Sequence, residues 1–209
     1  MSSTNTASDE LREILADYCN PYRKIPDIEI VKNLLTQVSE DLRYELLSSI
    51  TEINGKTVLT EAAWRGHTEL CVTLLSSLPP ADRLKLILVN KFTALHLAAF
   101  WGYTATISGI LSCLTADQQL EVLFTQNDDG HTALHYAVLE GHTETAKTLL
   151  DYLTPAQQLQ LLAVQKKKGM TAYEWAARHN MTADTLRTLD HYQKEADYRA
   201  NYRKFAIFT

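Results

Sequence analysis

The chain has 209 residues, of which 45% are hydrophobic and 22% charged, so it can bury a sizeable core and has an ordinary globular composition. Its net charge of −5 gives no sign of the clustered basic face that nucleic-acid binding requires, and no nucleic-acid partner is expected. No apolar run approaches the roughly 18 residues of a membrane helix, so no membrane association is expected.

The N-terminal region, residues 1–25, is predicted to be a lead-in followed by a capping helix. The segment 1–10 lacks the basic and apolar regions of a secretory signal, and we expect it to be disordered. Ser8 can begin a short helix whose apolar residues, Leu11, Ile14 and Leu15, pack on the first repeat.

The cysteines favour a reducing compartment. They are three in number and far apart, which suggests neither a disulfide framework nor a zinc cage, at Cys19, Cys71 and Cys113. Together with the missing secretory signal, this predicts a cytoplasmic protein.

From Pro26 onwards the chain repeats. A partial unit is expected over 26–54, because "EIVKNLLTQV" and "VSEDLRYELLSSI" imitate segments that recur later. Four full segments then align without gaps, beginning at Thr57, Thr93, Thr132 and Thr171, which are 36, 39 and 39 residues apart. We place the units from about 55, 91, 130 and 169, in an array that covers 26–189.

The residue pattern of each unit predicts two helices joined by a tight turn. The opening Thr can accept a backbone N–H of the first helical turn. The left-handed residue that ends the first helix is expected to be Gly66, Gly102, Gly141 and, in the last unit, Asn180. A second threonine is predicted to cap the second helix, at Thr68, Thr104, Thr143 and Thr182.

A third, short helix is predicted between successive units. The segments "TADQ" and "TPAQ" are capping boxes, with Thr115 paired to Gln118 and Thr154 to Gln157, and Pro155 occupies the favoured first helical position. The chain is therefore predicted to be all-α, with about four units of 36–39 residues, an extra short helix in each, and a C-terminal capping helix over 190–209. That last helix covers the open end of the stack or is a free, partner-binding helix.

The repeated motif resembles the ankyrin-repeat family. Thr-Ala-Leu-His at 93–96 and 132–135 stands where the family has Thr-Pro-Leu-His, and the Ala-Ala and Gly-His pairs also match. The resemblance implies a solenoid that binds another protein on its concave face, without catalysis and without a cofactor. Because the units are longer than the family's usual length of about 33 residues, we expect the third helix to alter or replace part of the family's projecting hairpin.

The histidines are interpreted as structural. In the family, the position of His96 and His135 bridges backbone and Thr hydroxyl between adjacent units, and His67 and His142 belong to the turns. His131 and His135 imitate metal ligands by their spacing, but His131 precedes the capping Thr, so no metal site is expected. The sequence also lacks a phosphate-binding loop and a nucleophile elbow, and we predict that it is not an enzyme.

The resemblance also places the candidate partner-binding residues, which lie just before each helix-ending Gly or Asn and just before each capping Thr. They are Trp64, Arg65, Phe92, Phe100, Trp101, His131, Leu139, Glu140, Met170 and Arg178, with Lys56 and His179 in equivalent positions. The residue types at these positions vary between units while the neighbouring positions stay the same. This variation indicates that the positions lie on the surface and not in the core of the stack. The aromatic members either form an exposed hot spot or are covered by the linking segments and terminal helices.

The sequence thus predicts a monomeric protein-interaction module with several possible settings. It resembles ankyrin proteins of intracellular bacteria such as Legionella and Coxiella, which are often delivered into host cells, and this favours an effector that binds a host protein. An own-cell scaffold and the recognition part of a larger enzyme are the alternatives.

Overall fold

The computed structural model describes residues 3–20, 23–49, 56–167, 169–178 and 183–206, which form fourteen helices. Helix α1 is Ser3–Tyr18. The first helices of the units are α4 (Val58–Trp64), α7 (Ala94–Phe100), α10 (Ala133–Leu139) and α13 (Ala172–Arg178). The second helices are α2 (Ile28–Gln37), α5 (Thr68–Ser76), α8 (Thr104–Ser112), α11 (Thr143–Asp151) and α14 (Ala183–Ala206). The third helices are α3 (Glu40–Ser48), α6 (Pro80–Leu88), α9 (Ala116–Phe124) and α12 (Pro155–Leu162).

Equivalent helices of successive units stack on one another. Helices α4, α7, α10 and α13 form one row, α2, α5, α8, α11 and α14 a second, and α3, α6 and α9 a third. The small residues Ala62, Ala63, Ala98 and Ala99 are completely buried, which allows the first helices to approach closely. One hydrophobic core extends through the stack, so the predicted all-α ankyrin-type solenoid is confirmed.

The predicted third helices are present, and their caps form as expected. Thr115 and Gln118 make a reciprocal capping box at the start of α9, and Thr154 and Gln157 make another at the start of α12. Pro155 is the first residue of α12. Each pair satisfies two backbone N–H groups that the first helical turn would otherwise leave without a partner.

The second threonine of each unit has a different role from the predicted cap. Thr68, Thr104 and Thr143 are the first residues of their helices, so the capping position falls one residue earlier. Their hydroxyl oxygens lie 2.7–2.8 Å from hydroxyls of the next unit, in the pairs Thr68–Thr106, Thr104–Thr145 and Thr143–Thr185. These threonines therefore join successive second helices. The predicted members Asn180 and Thr182 lie outside the described residues.

The N-terminal end of the chain is more helical than the sequence suggested. Helix α1 begins at Ser3, so the expectation of a disordered segment 1–10 is wrong for the part that the structure describes, and Ser8 lies buried inside the helix. Leu11 and Leu15 are buried where α1 contacts α2, α3 and α4. At the other end, α14 continues from the last unit without a break and packs against α11, α12 and α13.

Glycine between the first and second helices is required for two reasons. Gly102 has a φ of +72°, a left-handed conformation that other residues adopt only with strain. A Cβ atom there would lie only 2.6 Å from Nδ1 of His142, whose ring packs over Gly102 from the next unit. The glycine thus serves both the turn and the stacking of the units.

We expect Gly102→Ala to destabilise the protein more than Gly169→Ala. Gly169 also has a φ of +72°, but a Cβ there would meet nothing within 4 Å. The stability of the Gly169→Ala variant should therefore fall only by the cost of backbone strain, about 1–2 kcal/mol. Gly102→Ala should lose at least about 1 kcal/mol more, because the His142 ring must move. Urea unfolding followed by circular dichroism measures both values, and equal losses would contradict this account of the stacking.

Candidate partner-binding surface

Six aromatic rings form a continuous row across the four units, which we call the aromatic row. The order is Trp64, Trp101, Phe100, Tyr136, His131 and Trp175, with successive ring centroids 6.4, 5.2, 6.0, 5.3 and 4.5 Å apart. Phe92 joins the row sideways, with its centroid 5.1 Å from that of Tyr136. The fold therefore brings together the five aromatic residues that the sequence singled out, although they come from three units.

Two members of the row, Tyr136 and Trp175, were not among the predicted residues. Each lies four residues after the capping Thr of its unit, where the first two units have Glu61 and Leu97. This position varies between units in the same way as the positions that we selected. Its variation was the signal that could have identified both residues.

The row is partly open to solvent. Trp101 is 46% exposed, and Trp64, Phe92, Phe100 and His131 are half-buried. Lysine side chains lie on the rings at both ends, with Lys56 Nζ 3.8 Å from the Trp64 centroid and Lys166 Nζ 3.7 Å from that of Trp175. Such contacts stabilise the orientation of the terminal rings and leave Trp101 as the most exposed aromatic of the row.

The remaining predicted residues lie beyond the row. Glu140 and Arg178 are exposed, whereas Leu139 and Met170 are half-buried. Arg178 Nη1 lies 3.4 Å from the sulfur of Met170. His179 falls outside the described residues.

Arg65 has a different role from the predicted contact with a partner. Its Nε donates to Glu61 Oε1 at 2.7 Å, and its two terminal nitrogens donate to the carbonyls of Asn20 and Arg23 at 3.0 and 3.1 Å. The Arg65 side chain is only 12% exposed, and Glu61 is fully buried. The guanidinium thus holds the segment that follows α1 against the first unit, because it donates to both carbonyls and neutralises Glu61.

That segment forms one wall of a cleft beside the aromatic row, which we call the N-terminal cleft. The cleft has a volume of about 780 Å³ and is lined by Arg23, Lys24, Ile25, Trp64, Arg65, His67, Trp101 and Tyr103. Its size is within the range of about 300–1,000 Å³ that is typical of ligand sites.

Two short hairpins lie at the other end of the row. In the first, Asn127 N donates to His131 O at 2.9 Å, and in the second Lys166 N donates to Met170 O at 3.0 Å. The Gln126 side chain donates to Gly130 O at 2.7 Å and to a carbonyl of the second hairpin at 3.0 Å. A hairpin is therefore present beside the third helix in these units, so the third helix does not replace it.

His96 has the bridging role that we predicted. Its Nδ1 lies 2.8 Å from Thr93 Oγ1 and 3.2 Å from Thr93 N, and its Nε2 lies 2.9 Å from the His131 carbonyl of the next unit. His135 makes the same contacts with Thr132, and the Met170 backbone of the next unit lies near its ring, although its Nε2 makes no hydrogen bond of good geometry with a described group. Burial lowers the pKa of both histidines to about 4, so both rings are neutral at pH 7.

His67 and His142 belong to the turns, and His131 belongs to the row. His67 Nδ1 lies 2.6 Å from the Tyr18 hydroxyl, and His142 Nε2 lies 3.1 Å from the Phe100 carbonyl. Both ring nitrogens of His131 are buried without a described partner, and burial lowers the pKa of this residue as well. Within the residues that the structure describes, no three His, Cys, Asp or Glu side chains form a group that could hold a metal ion.

Arg65→Ala should destabilise the fold far more than Arg23→Ala. Removing Arg65 takes away the ion pair at 2.7 Å from the buried Glu61 carboxylate, whose pair with Lys56 is longer, at 3.4 Å, and this should cost about 3 kcal/mol or more. Arg23 is 61% exposed in its ion pair with Asp17, so its loss should cost less than about 1 kcal/mol. The free energies of unfolding in urea test this, and a small loss for both variants would show that Arg65 is not structural.

The free energy of unfolding should fall as the pH is lowered from 6.5 towards 4. The pKa values of His96 and His135 are about 4 in the folded protein and return to about 6.5 on unfolding, so the unfolded chain binds more protons in this window. Each histidine should contribute up to about 3 kcal/mol of this loss. Chemical denaturation across this range should show a much shallower slope for the double variant His96→Gln/His135→Gln. An unchanged slope would assign the acid sensitivity to other groups.

Comparison with known proteins agrees with this architecture. No curated protein matches the chain. Among the described helices, none combines the length and the apolar character needed to cross a membrane. A family model described as ankyrin repeats (3 copies) matches residues 23–122 and 118–201, so the two matches together cover the stacked units. With these matches and its three-helix stacked units, the chain belongs to the ankyrin-repeat family.

Proposed function

We propose that this protein is a non-catalytic interaction module that binds a partner protein on the concave face of its solenoid, with the aromatic row at the centre of the contact. Ankyrin repeats are in general protein-protein interaction modules, and they are typically non-catalytic. The observation that carries the proposal is Trp101, which is 46% exposed in the middle of a row of packed rings.

The packing of the row supports a hot spot. Trp101 makes edge-to-face contacts with both Trp64 and Phe100, with interplanar angles of 73° and 80°. Its ring therefore has little freedom to lose when a partner binds, and ordered aromatic side chains are the usual centres of binding energy. Leu139, Glu140, Met170 and Arg178 would form the rim of the contact, whereas Arg65 is excluded because its donors are used within the chain.

The setting of the interaction has three versions. The resemblance to ankyrin proteins of intracellular bacteria supports an effector that acts on a host protein, and an own-cell scaffold is the alternative. The recognition part of a larger enzyme is the third possibility. In each version we propose that the chain acts as a monomer and in the cytoplasm, either of its own cell or of the host.

The variant Trp101→Ala should lose its partner while remaining folded. Truncating a hot-spot residue costs about 2 kcal/mol or more, which is a loss of affinity of about thirtyfold. Pull-downs from host and own-cell lysates with wild type, Trp101→Ala and Trp64→Ala test this, with thermal unfolding to check each fold. A Trp101-dependent partner in the host lysate would support the effector, and one in the own-cell lysate would support the scaffold.

Tyr173→Ala is the matched control. Tyr173 is an exposed aromatic residue of similar exposure, 43%, outside the aromatic row. It should keep every partner that wild type binds. If Trp101→Ala and Trp64→Ala also keep every partner, the aromatic row is not the binding face.

A further inference from the structure

The N-terminal cleft has an apolar side that is unusually open to solvent. Ile25 and Trp101 are 50% and 46% exposed, and they are two of the five large hydrophobic side chains that are exposed among the described residues. Both line the same cleft, next to Trp64. Exposed apolar groups that cluster in a concavity are characteristic of binding sites.

The charged groups of this cleft all have one sign, although the protein as a whole has a net charge of −5. Its lining contains three cationic side chains, Arg23, Lys24 and Arg65, and no carboxylate. Arg65 is neutralised by the buried Glu61, and Arg23 has an exposed pair with Asp17, which leaves Lys24 without an ion pair among the described residues. The cleft therefore presents positive charge beside its apolar side.

The size of the cleft limits what can occupy it. A volume of about 780 Å³ is suited to a few residues of an extended chain, but too small for a folded domain. The wall formed by residues 23–25 is held in place by the hydrogen bonds from Arg65 to the carbonyls of Asn20 and Arg23. The site is thus formed before a ligand arrives, which lowers the entropic cost of binding.

A single-stranded nucleic acid would also meet basic and aromatic groups, but the ring geometry does not favour it. Stacking of successive bases needs accessible ring faces. The face of Trp64 is covered by Lys56, and Trp101 meets Trp64 edge to face at 73°. An acidic peptide does not need accessible ring faces, because its carboxylates can pair with the cationic side chains at the rim of the cleft.

We propose that the N-terminal cleft binds an acidic linear segment of the partner protein, with a bulky apolar side chain placed between Ile25 and Trp101 and neighbouring carboxylates paired with Lys24 and Arg23. This inference rests on the proposed function and adds the chemical class of the bound segment. The apolar contact supplies most of the affinity, and the cations select the charge of the segment.

A displayed library of random peptides, about twelve residues long, tests the proposal against the full-length protein. Selected peptides should be enriched in Asp and Glu next to Phe, Trp or Leu. For a selected synthetic peptide, fluorescence anisotropy should show that Lys24→Glu weakens binding about fivefold or more and Trp101→Ala about thirtyfold. Lys85→Glu, on α6 and 62% exposed, is the matched charge control and should leave the affinity unchanged. Raising the salt concentration should weaken binding to wild type.

The outcomes separate this inference from the proposed function. Peptides that depend on Trp101 but have no acidic preference, or that bind Lys24→Glu as tightly as wild type, overturn the acidic segment and leave the interaction face in place. Binding that is unaffected by both Trp101→Ala and Trp64→Ala overturns both. Recovery of no Trp101-dependent peptide, or competition by an oligouridylate for the same cleft, also overturns the acidic segment.

Discussion

The close packing of each unit on its neighbours is the constraint on which this structure depends. The first helices of the units, α4, α7 and α10, have only seven residues each, and a helix of this length has no stability of its own in water. Their fully buried alanines lie where the first helices of adjacent units pack on one another. Each unit therefore needs its neighbours to cover its apolar surface. The array therefore gains its stability from the interfaces between units.

Several polar groups inside these interfaces are satisfied across the units. His96 joins its own capping Thr93 to the carbonyl of His131, and the paired threonine hydroxyls join successive second helices. A buried polar group without a partner would cost more than its bond contributes, so these contacts fix the relative positions of the units. The hydrogen bond between His96 and the His131 carbonyl also holds the backbone of His131, whose ring is part of the aromatic row. Stacking and the candidate binding surface therefore depend on shared residues.

The first unit couples the candidate binding surface to the N-terminal helix. Glu61 is buried and needs Arg65 and Lys56 as partners, while these two cations also contact the cleft wall and the Trp64 ring. One buried carboxylate thus organises two sides of the N-terminal cleft. A buried ion pair contributes little net stability when compared with apolar residues, but it strongly restricts the geometry of the groups around it. We therefore interpret the buried Glu61 and its cations as groups that fix the geometry beside Trp64.

The sequence by itself determined the helices, their order and most of the aromatic row. Capping threonines, left-handed glycines and apolar spacing are local signals, and their recurrence at 36–39 residues identified the units. The roles of Arg65, Thr68 and Ser8 were decided only by the tertiary structure. Arg65 binds carbonyls 42 and 45 residues earlier in the chain, and Thr68 pairs with a hydroxyl 38 residues later. Because a side chain's donors are used by whichever groups the packing brings near, the partner of such a side chain cannot be identified from its neighbours in the sequence.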